Sequence, residues 1–346
     1  MDRRVKIVDV ARAAGTSIAS ASVALNGKPG VSPQTRSRIL AVAEELGYRP
    51  DSTARRLRNE RTHLLGVTFA IDMVFHSELV GHLYEAAGEA GWDLVLSGVT
   101  PTRPVERAVE SLLRDRCEAV LLISPDMTDD ALAALSRQTS AVALGAAVSV
   151  AGVDSARSDD RAGAALAVDH LVGLGHRDIA YVDAGPAALN SERRAGYEAA
   201  MWRHALGTRI RVLAAAPQKG GPVGEGLAVT EAAGAAVAEA LLADGDLPTA
   251  LVTYNDMLAV GIMLSLRGRG VRIPGDMSVI GYDDTHFARL DAISLTSVRQ
   301  DGQRLAQAAV NCALARAEGR ERPGGVARIV VPPHLVVRST TSTPRP

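Results

Sequence analysis

The stretch Ile7-Val8-Asp9-Val10-Ala11-Arg12-Ala13-Ala14-Gly15-Thr16-Ser17, near the start of this 346-residue chain, decides the nature of its first domain. Ile7, Val10, Ala11 and Ala14 fall at i, i+3, i+4 and i+7, the apolar stripe of one helix. Gly15 follows as a residue able to take the left-handed backbone that closes a helix. Thr16 or Ser17 caps a second helix of small side chains running to Leu25, which Asn26-Gly27 breaks. Ser32-Pro33, cap and first helical position, opens a third helix that carries Ile39, Val42, Ala43 and Leu46 on one face and stops at Gly47. Two short helices about a glycine turn make a helix-turn-helix, whose second helix enters the DNA major groove.

Charge follows the same division. Residues 1–61 hold twelve Lys and Arg against six acids, a net +6, while the whole chain is −1, which leaves −7 for the other 285 residues. A basic head on an acidic body carries the electrostatic footprint of a phosphate binder in the head alone. Apolar content of 47% with 22% charge is that of a packed soluble protein. Aromatics make up 3%, so the cores depend on Ala, Val, Leu and Ile. The two cysteines, Cys117 and Cys312, form neither a disulfide framework nor a metal ligand set. With no apolar run of membrane length and a charged helix where a signal sequence would stand, a cytoplasmic protein without membrane contact is expected.

Beyond Gly47 the character changes. Asp51-Ser52 can cap a helix of two turns through Arg58, with Arg55, Arg56 and Arg58 around Leu57. So short a helix is marginal alone in water, and composition by itself reads 50–62 as a charged linker. From 63 onward short apolar runs alternate with helical patterns. Strands are expected at 64–69, 93–97, 119–123 and 141–144, with helices such as 78–90 and 105–114 between them. The series restarts after Arg161, with strands at 179–182, 209–214, 250–254 and 277–281. Two successive βαβ series imply two doubly wound lobes. The Gly- and Pro-rich stretch 215–226 reads as a loop.

Ordered blocks run through the whole chain. Asp9-Val10-Ala11, Ala14-Gly15-Thr16-Ser17, Leu25-Asn26-Gly27, Val31-Ser32-Pro33, Leu46-Gly47-Tyr48-Arg49-Pro50 and Ala54-Arg55-Arg56-Leu57 lie in the head. Leu174-Gly175-His176-Arg177, Tyr254-Asn255-Asp256, Val279-Ile280-Gly281-Tyr282-Asp283-Asp284 and Leu295-Thr296-Ser297-Val298-Arg299-Gln300 lie in the body. In order and spacing they resemble the lactose-repressor/galactose-repressor (LacI/GalR) family. The resemblance implies an all-α head over 1–49, a hinge helix over 50–62 and a two-lobed, periplasmic-binding-protein-like α/β core over 63–346. It puts the lobe crossovers near Arg161, Asp291 and Gly324, so that lobe 1 is 63–161 plus 292–323 and lobe 2 is 162–291 plus 324–340.

Position in the family also implies roles. Ile18, Ala19 and Val23 fall where base edges are read; as apolar side chains they suit thymine methyls and offer no bidentate donor to guanine. Burial against the neighbouring helices is the alternative for Ile18 and Val23. Ser17, Ser20, Ser22 and Asn26 suit phosphate contacts, and Thr16, Tyr48, Ala54 and Arg55 complete the DNA-binding set. Leu57 takes the place of the leucine that wedges into the minor groove from a hinge helix paired with a partner's copy. In the core, Arg193, Asn255 and Asp283 are implied to hydrogen-bond a ligand, a donor fork, an amide and a carboxylate that together suit a polyol. Gln300 and Asp160, near the crossovers, and Phe75 and His76, on the first lobe, are further ligand candidates. Val229 stands where some members carry a stacking aromatic.

The expectation is a homodimeric transcriptional repressor on a pseudo-palindromic double-stranded operator, governed by a small effector of carbohydrate type. A purine-like effector and a sugar-binding transport protein are the alternatives, the latter lacking a reason for the basic head. No nucleophile elbow, phosphate loop or metal-binding His-Glu-x-x-His motif occurs, so no catalytic residue, cofactor or metal is expected.

Overall fold

The computed structural model describes residues 5–48, 61–184, 190–215, 229–320 and 325–345. It divides into two compact units, Met1–Thr62 and His63–Pro346.

In the first unit, α1 (Ile7–Ala13), α2 (Ile18–Leu25) and α3 (Pro33–Glu45) form the trihelical head. Gly15 closes α1 with φ +58°, a backbone that would strain any residue with a side chain. Ser17 Oγ accepts the Ser20 N–H (3.0 Å) and Ser32 Oγ accepts the Thr35 N–H (3.2 Å), capping α2 and α3. Val10, Ala11, Ala14, Ala21, Ala24, Ile39 and Ala43 bury a core of small side chains. Leu46, expected on the buried face, is the C-cap of α3 and is exposed. Arg36 adds a brace that periodicity cannot show: its guanidinium donates to the Ala24 carbonyl (3.0 Å) at the end of α2 and to that of Lys28 in the turn after it.

The second unit carries two six-stranded sheets in one alternating chain. Its first series is β1 (Leu64–Ala70), α4 (Val74–Glu89), β2 (Asp93–Val99), α5 (Val105–Arg114), β3 (Ala119–Ile123), α6 (Asp129–Ser136), β4 (Ser140–Leu144) and β5 (Val153–Ser158). The second is α7 (Asp160–Gly173), β6 (Ile179–Asp183), α8 (Asn190–Arg203), β7 (Arg211–Ala214), α9 (Glu231–Asp244), β8 (Ala250–Thr253), α10 (Asp256–Gly268), β9 (Ser278–Asp283), α11 (His286–Arg289) and β10 (Thr296–Arg299). Then come α12 (Gly302–Ala317), β11 (Arg328–Val331) and β12 (His334–Val336). Strand order is β11-β5-β4-β3-β1-β2 in lobe 1 and β12-β10-β9-β8-β6-β7 in lobe 2, parallel except for the β10–β12 pair.

Both faces of each sheet are covered, which is why the strands read as continuous apolar runs. In lobe 1, Leu121 and Ile123 face α4 and α12 while Val120 and Leu122 face α5 and α6. In lobe 2, Leu251 and Val279 face α9 and α10 while Val252 and Ile280 face α7 and α8. Burying each leucine-sized side chain contributes about 1.5–3 kcal/mol, so these double-sided cores dominate the stability of the unit.

The lobe boundaries differ from the expectation. β10 pairs with β9 and so belongs to lobe 2, which places the second crossover at Gln300–Asp301 rather than near Asp291. β11 pairs with β5 in lobe 1, and the chain returns to lobe 2 at Pro332–Pro333 rather than near Gly324. These strands have three or four residues each, too few for a hydrophobic period to declare which sheet they join. The carboxyl-terminal segment is stitched to lobe 2: Val279 N–H donates to the Thr340 carbonyl (2.9 Å), and His176 Nε2 lies 2.9 Å from the Ser342 carbonyl. His170 lies 3.0 Å from the Thr341 hydroxyl. Both histidines hold the tail in place.

Candidate functional site

The head presents an exposed start of α2. Ile18 is 50% exposed and Ala19 is exposed, so Ile18 is not a core residue; Val23 is half-buried and outside the core cluster. Ser17 and Ser20 share a contact between their hydroxyls (2.9 Å), and Asn26 Nδ2 donates to the Ser22 carbonyl (2.7 Å), so these polar groups also build the two ends of α2. The Thr16 hydroxyl differs from its expected role, being buried without a hydrogen-bond partner and turned inward. Tyr48 packs partly buried against the head core. Ala54, Arg55 and Leu57, with the rest of the expected hinge helix, lie outside the described residues.

In the core, the C-terminal ends of parallel strands from both lobes converge on one cleft, the place where open α/β sheets bind ligands. Arg193 stands at its centre, 7% exposed. Its Nε donates to Asp160 Oδ1 (3.2 Å), its Nη1 to the Tyr254 carbonyl (2.6 Å), and its Nη2 lies 3.5 Å from Asp283 Oδ1. The guanidinium plane is covered by Tyr282 (3.8 Å to the ring centre) and Tyr254 (4.6 Å), a cation–π clamp. Tyr282 Oη donates to Asp160 Oδ1 (2.8 Å). That approach depends on Gly163, where an added Cβ would lie 2.3 Å from the same hydroxyl. Gln300 Nε2 donates to Asp283 Oδ1 (2.7 Å).

Asp283 has φ +103°, rare for a side-chain-bearing residue, and Asp284 follows at +52°. The strained turn is braced from behind. Asp256 Oδ2 accepts the Thr285 N–H (2.7 Å) and hydroxyl (2.9 Å), while Arg299 Nε donates to Asp284 Oδ2 (2.6 Å). Burial pushes the Asp283 carboxyl up to about 6, against the Arg193 guanidinium and the Gln300 amide, which pull it down. Burial opposes the charge on Arg193, and the Asp160 and Asp283 carboxylates outweigh it, raising the guanidinium above its ordinary value.

Lobe 1 supplies the facing wall. Phe75 and His76 sit in the first turn of α4, which starts four residues before the expected 78–90 helix. His76 Nδ1 accepts the Ala70 N–H (3.2 Å), so the ring proton resides on Nε2. Burial lowers His76 to about 4, which keeps the ring neutral near pH 7.

The structure therefore brings Phe75, His76, Asp160, Arg193, Asp283 and Gln300 to one cavity. Asn255 is not among its lining. Its Oδ1 accepts the Leu258 N–H (2.9 Å) as the cap of α10 and its Nδ2 donates to the Val229 carbonyl (3.2 Å), so both polar atoms already have a partner within lobe 2. Val229 is likewise a core residue, 2% exposed. The lining also includes Met73, Ser124 and Tyr254, none of them expected there from the sequence. Tyr254 opens the Tyr254-Asn255-Asp256 block, and a polar-tipped aromatic just past a strand end was the available signal. Among the described residues there is no three-residue His/Cys/Asp/Glu cluster able to hold a metal, and no helix long and apolar enough to cross a membrane.

Comparison with known proteins agrees with this arrangement. A profile described as "Bacterial regulatory proteins, lacI family" matches residues 6–51, and one described as "Periplasmic binding protein-like domain" matches residues 168–341. The chain is 32% identical to the HTH-type transcriptional regulator GalR of Escherichia coli (strain K12), over 98% of this chain and 96% of that protein. It superposes on the lac repressor dimer bound to operator and the anti-inducer ONPF with a TM-score of 0.80 at 26% identity, covering 98% and 100% of the two chains. For a complex of the transcriptional regulator CelR with cellobiose the TM-score is 0.68 at 26% identity, covering 97% and 100%. A helix-turn-helix head on a two-lobed core defines a DNA-binding transcriptional regulator with a ligand-binding domain. This chain belongs to the LacI family of bacterial regulatory proteins.

Proposed function

We propose that the chain is a cytoplasmic, homodimeric repressor whose hold on a pseudo-palindromic operator is set by an uncharged carbohydrate bound between the lobes. The observation that carries this reading is the Arg193 fork, held between Asp160 and Asp283 with Gln300 alongside, in a cleft walled by both lobes. Vicinal hydroxyls both donate and accept, and so meet the carboxylates and the guanidinium edge at once. CelR, a structural neighbour, is solved with a disaccharide, which supports the class.

On the DNA side, Ile18 and Ala19 read base edges, Val23 borders them, and Ser17, Ser20, Ser22 and Asn26 position α2 on phosphates. The linker over 50–62, with Leu57, couples core to head. A ligand acts only through different affinities for two lobe arrangements, which set the spacing of the paired heads. Tyr254 already gives one face to Arg193, so it offers little platform for a flat purine, and the carbohydrate reading is preferred.

Thermal-shift screening of a sugar and nucleoside panel tests the effector class, because a ligand of the native state raises apparent stability. A sugar should raise the melting temperature and change the fluorescence anisotropy of a bound operator duplex. Stabilisation by nucleosides alone would overturn the reading.

A further inference from the structure

Asp283 reaches the cleft from a turn that side-chain-bearing residues avoid, with φ +103° at Asp283 and +52° at Asp284. Such a backbone persists only where its surroundings over-determine it. Asp283 gives its own side chain to the cavity, where Arg193 and Gln300 meet it. Holding the turn therefore falls to Asp284, whose side chain is fully buried and absent from the cavity lining.

Two arginines grip that carboxylate, one at each oxygen. Arg299 of β10 donates through Nε to Oδ2 (2.6 Å), and its side chain is 39% exposed. Arg338, in the segment after β12, brings Nη1 to 2.6 Å from Oδ1 and is 16% exposed. A buried carboxylate has lost its hydration and depends on such partners. The same Nη1 donates to the Leu295 carbonyl (2.6 Å), which fixes the guanidinium at a second point. The backbone behind it is equally constrained. The Arg338 N–H donates to Thr296 Oγ1 (2.9 Å) and the Ser339 N–H to the Ser294 carbonyl (3.0 Å). Thr340, wholly buried, accepts the Thr296 N–H at Oγ1 (2.9 Å) and donates that hydroxyl to the Val279 carbonyl (2.7 Å). Arg338 cannot withdraw from Asp284 without unzipping this segment from β9 and β10. A brace serving lobe 2 alone could end anywhere in it; this one ends on the residue next to Asp283.

We infer that Arg338 is a positioning residue of the effector site: gripping Asp284 from inside lobe 2, it holds the 283–284 turn and so aims the Asp283 carboxylate into the cleft. This rests on the reading of Asp283 as an effector contact, and it makes the carboxyl-terminal segment part of the sensor. With Arg338 neutralised, Asp284 keeps Arg299 at one oxygen and has no charge partner at the other. The turn then relaxes, and Asp283 leaves its place beside Arg193 and Gln300.

The test compares full-length wild type with Arg338→Met and Arg338→Lys. Both side-chain contacts of Arg338 come from one nitrogen, so an ammonium with its three donors can replace it and a thioether cannot. Carbon-13 NMR of aspartate-labelled protein, with the Asp283 signal assigned through Asp283→Asn, reads how that carboxyl titrates; burial places it at about 6. Arg338→Met should change its proton affinity at least tenfold, and Arg338→Lys should return it to within twofold of wild type. Calorimetric titration with D-ribose, D-galactose and cellobiose reads the consequence. For whichever of them binds wild type, affinity should fall at least tenfold in Arg338→Met and recover to within threefold in Arg338→Lys. A role in stability alone would lower the melting temperature and move neither reading. If Arg338→Met does not fold, Asp284→Asn, which removes the charge that Arg338 grips, makes the same measurements. An unchanged Asp283 titration, or an unchanged sugar affinity, in a folded variant overturns the inference and leaves the carbohydrate reading standing. If none of the three sugars binds wild type, that reading falls, and the Asp283 titration decides the role of Arg338 by itself.

Discussion

Glu78 Oε1, on α4 of lobe 1, accepts both the backbone N–H (2.7 Å) and the ring Nδ1 (3.0 Å) of His286, on α11 of lobe 2. Arg289 Nη2 approaches the same oxygen at 3.4 Å. The contact bridges the lobes three residues beyond Asp283 and acts as a latch on the conformation described. Since His286 and Arg289 are about half exposed, the latch is worth no more than about 1 kcal/mol. Glu78→Ala should leave unfolding stability within that margin and enlarge the radius of gyration of the ligand-free protein in small-angle scattering. Identical scattering curves would show that the latch does not govern lobe closure.

Arg193 should be far less tolerant. Removing one partner from a buried charge network typically costs about 3–5 kcal/mol, because the carboxylates left behind are neither solvated nor paired. Arg193→Met strands both Asp160 and Asp283 and should lower stability by that order in urea titration. Arg193→Lys should recover only part, since one ammonium cannot supply donors to Asp160, Asp283 and the Tyr254 carbonyl in a planar fork. A loss below about 1 kcal/mol for the methionine variant would refute the network.

Two buried groups titrate with opposite effects on stability. His76 stays neutral in the folded protein until about pH 4, whereas its ordinary value is 6.5. The unfolded chain therefore takes up the proton first, and stability falls as pH drops from 6.5 towards 4, by on the order of 3 kcal/mol. Asp283 keeps its proton up to about 6 when folded, against an ordinary 3.8. Its contribution is therefore fully present below pH 3.8 and is lost as pH rises through about 6. Urea titrations across pH 4–8 should show a flattened acid limb for His76→Gln, and Asp283→Asn should weaken the opposite trend, the rest of which belongs to Asp256, pushed by burial up to about 8. Parallel profiles for wild type and both variants would contradict the assigned environments.

On the head, Ile18 and Ala19 can be exchanged without touching its core. Substituting another family member's pair should change the preferred operator in a selection experiment, with overall affinity falling with salt at about −0.9 per phosphate neutralised. By contrast, Ser32→Ala should cost about 1 kcal/mol through the lost cap of α3, read by hydrogen exchange at the head amides, with the selected sequence unchanged. An unaltered operator preference after the Ile18/Ala19 exchange would remove those residues from base reading.

How far the molecule was legible in its sequence depends on how local each signal is. Ser32-Pro33, Gly15 and the central strands announce themselves within a few residues, and the structure has them as helix caps, a left-handed turn and β3. The short strands β10, β11 and β12 do not: four residues or fewer carry no period that names a sheet, and the partner of β11 lies more than a hundred residues away. Motif position pointed to Arg193 and Asp283, and both line the cleft. Asn255 shows the ambiguity of a strand-end amide, which can meet a ligand or cap a helix: its Oδ1 caps α10 and its Nδ2 bonds the Val229 carbonyl. The clamp of Tyr254 and Tyr282 over Arg193 stayed invisible, since alternation marks a strand aromatic as core and says nothing of the cation lying against it.

Because the chain passes between lobes at 158–160, at Gln300–Asp301 and again at Pro332–Pro333, neither lobe is a contiguous piece of polypeptide. A protease that severs any one of these spans leaves the halves tethered by the other two. Bisected or truncated versions of this sensor should consequently fail to yield an independent half, and the triple tether favours bending about a shared axis over free tumbling of one half against the other.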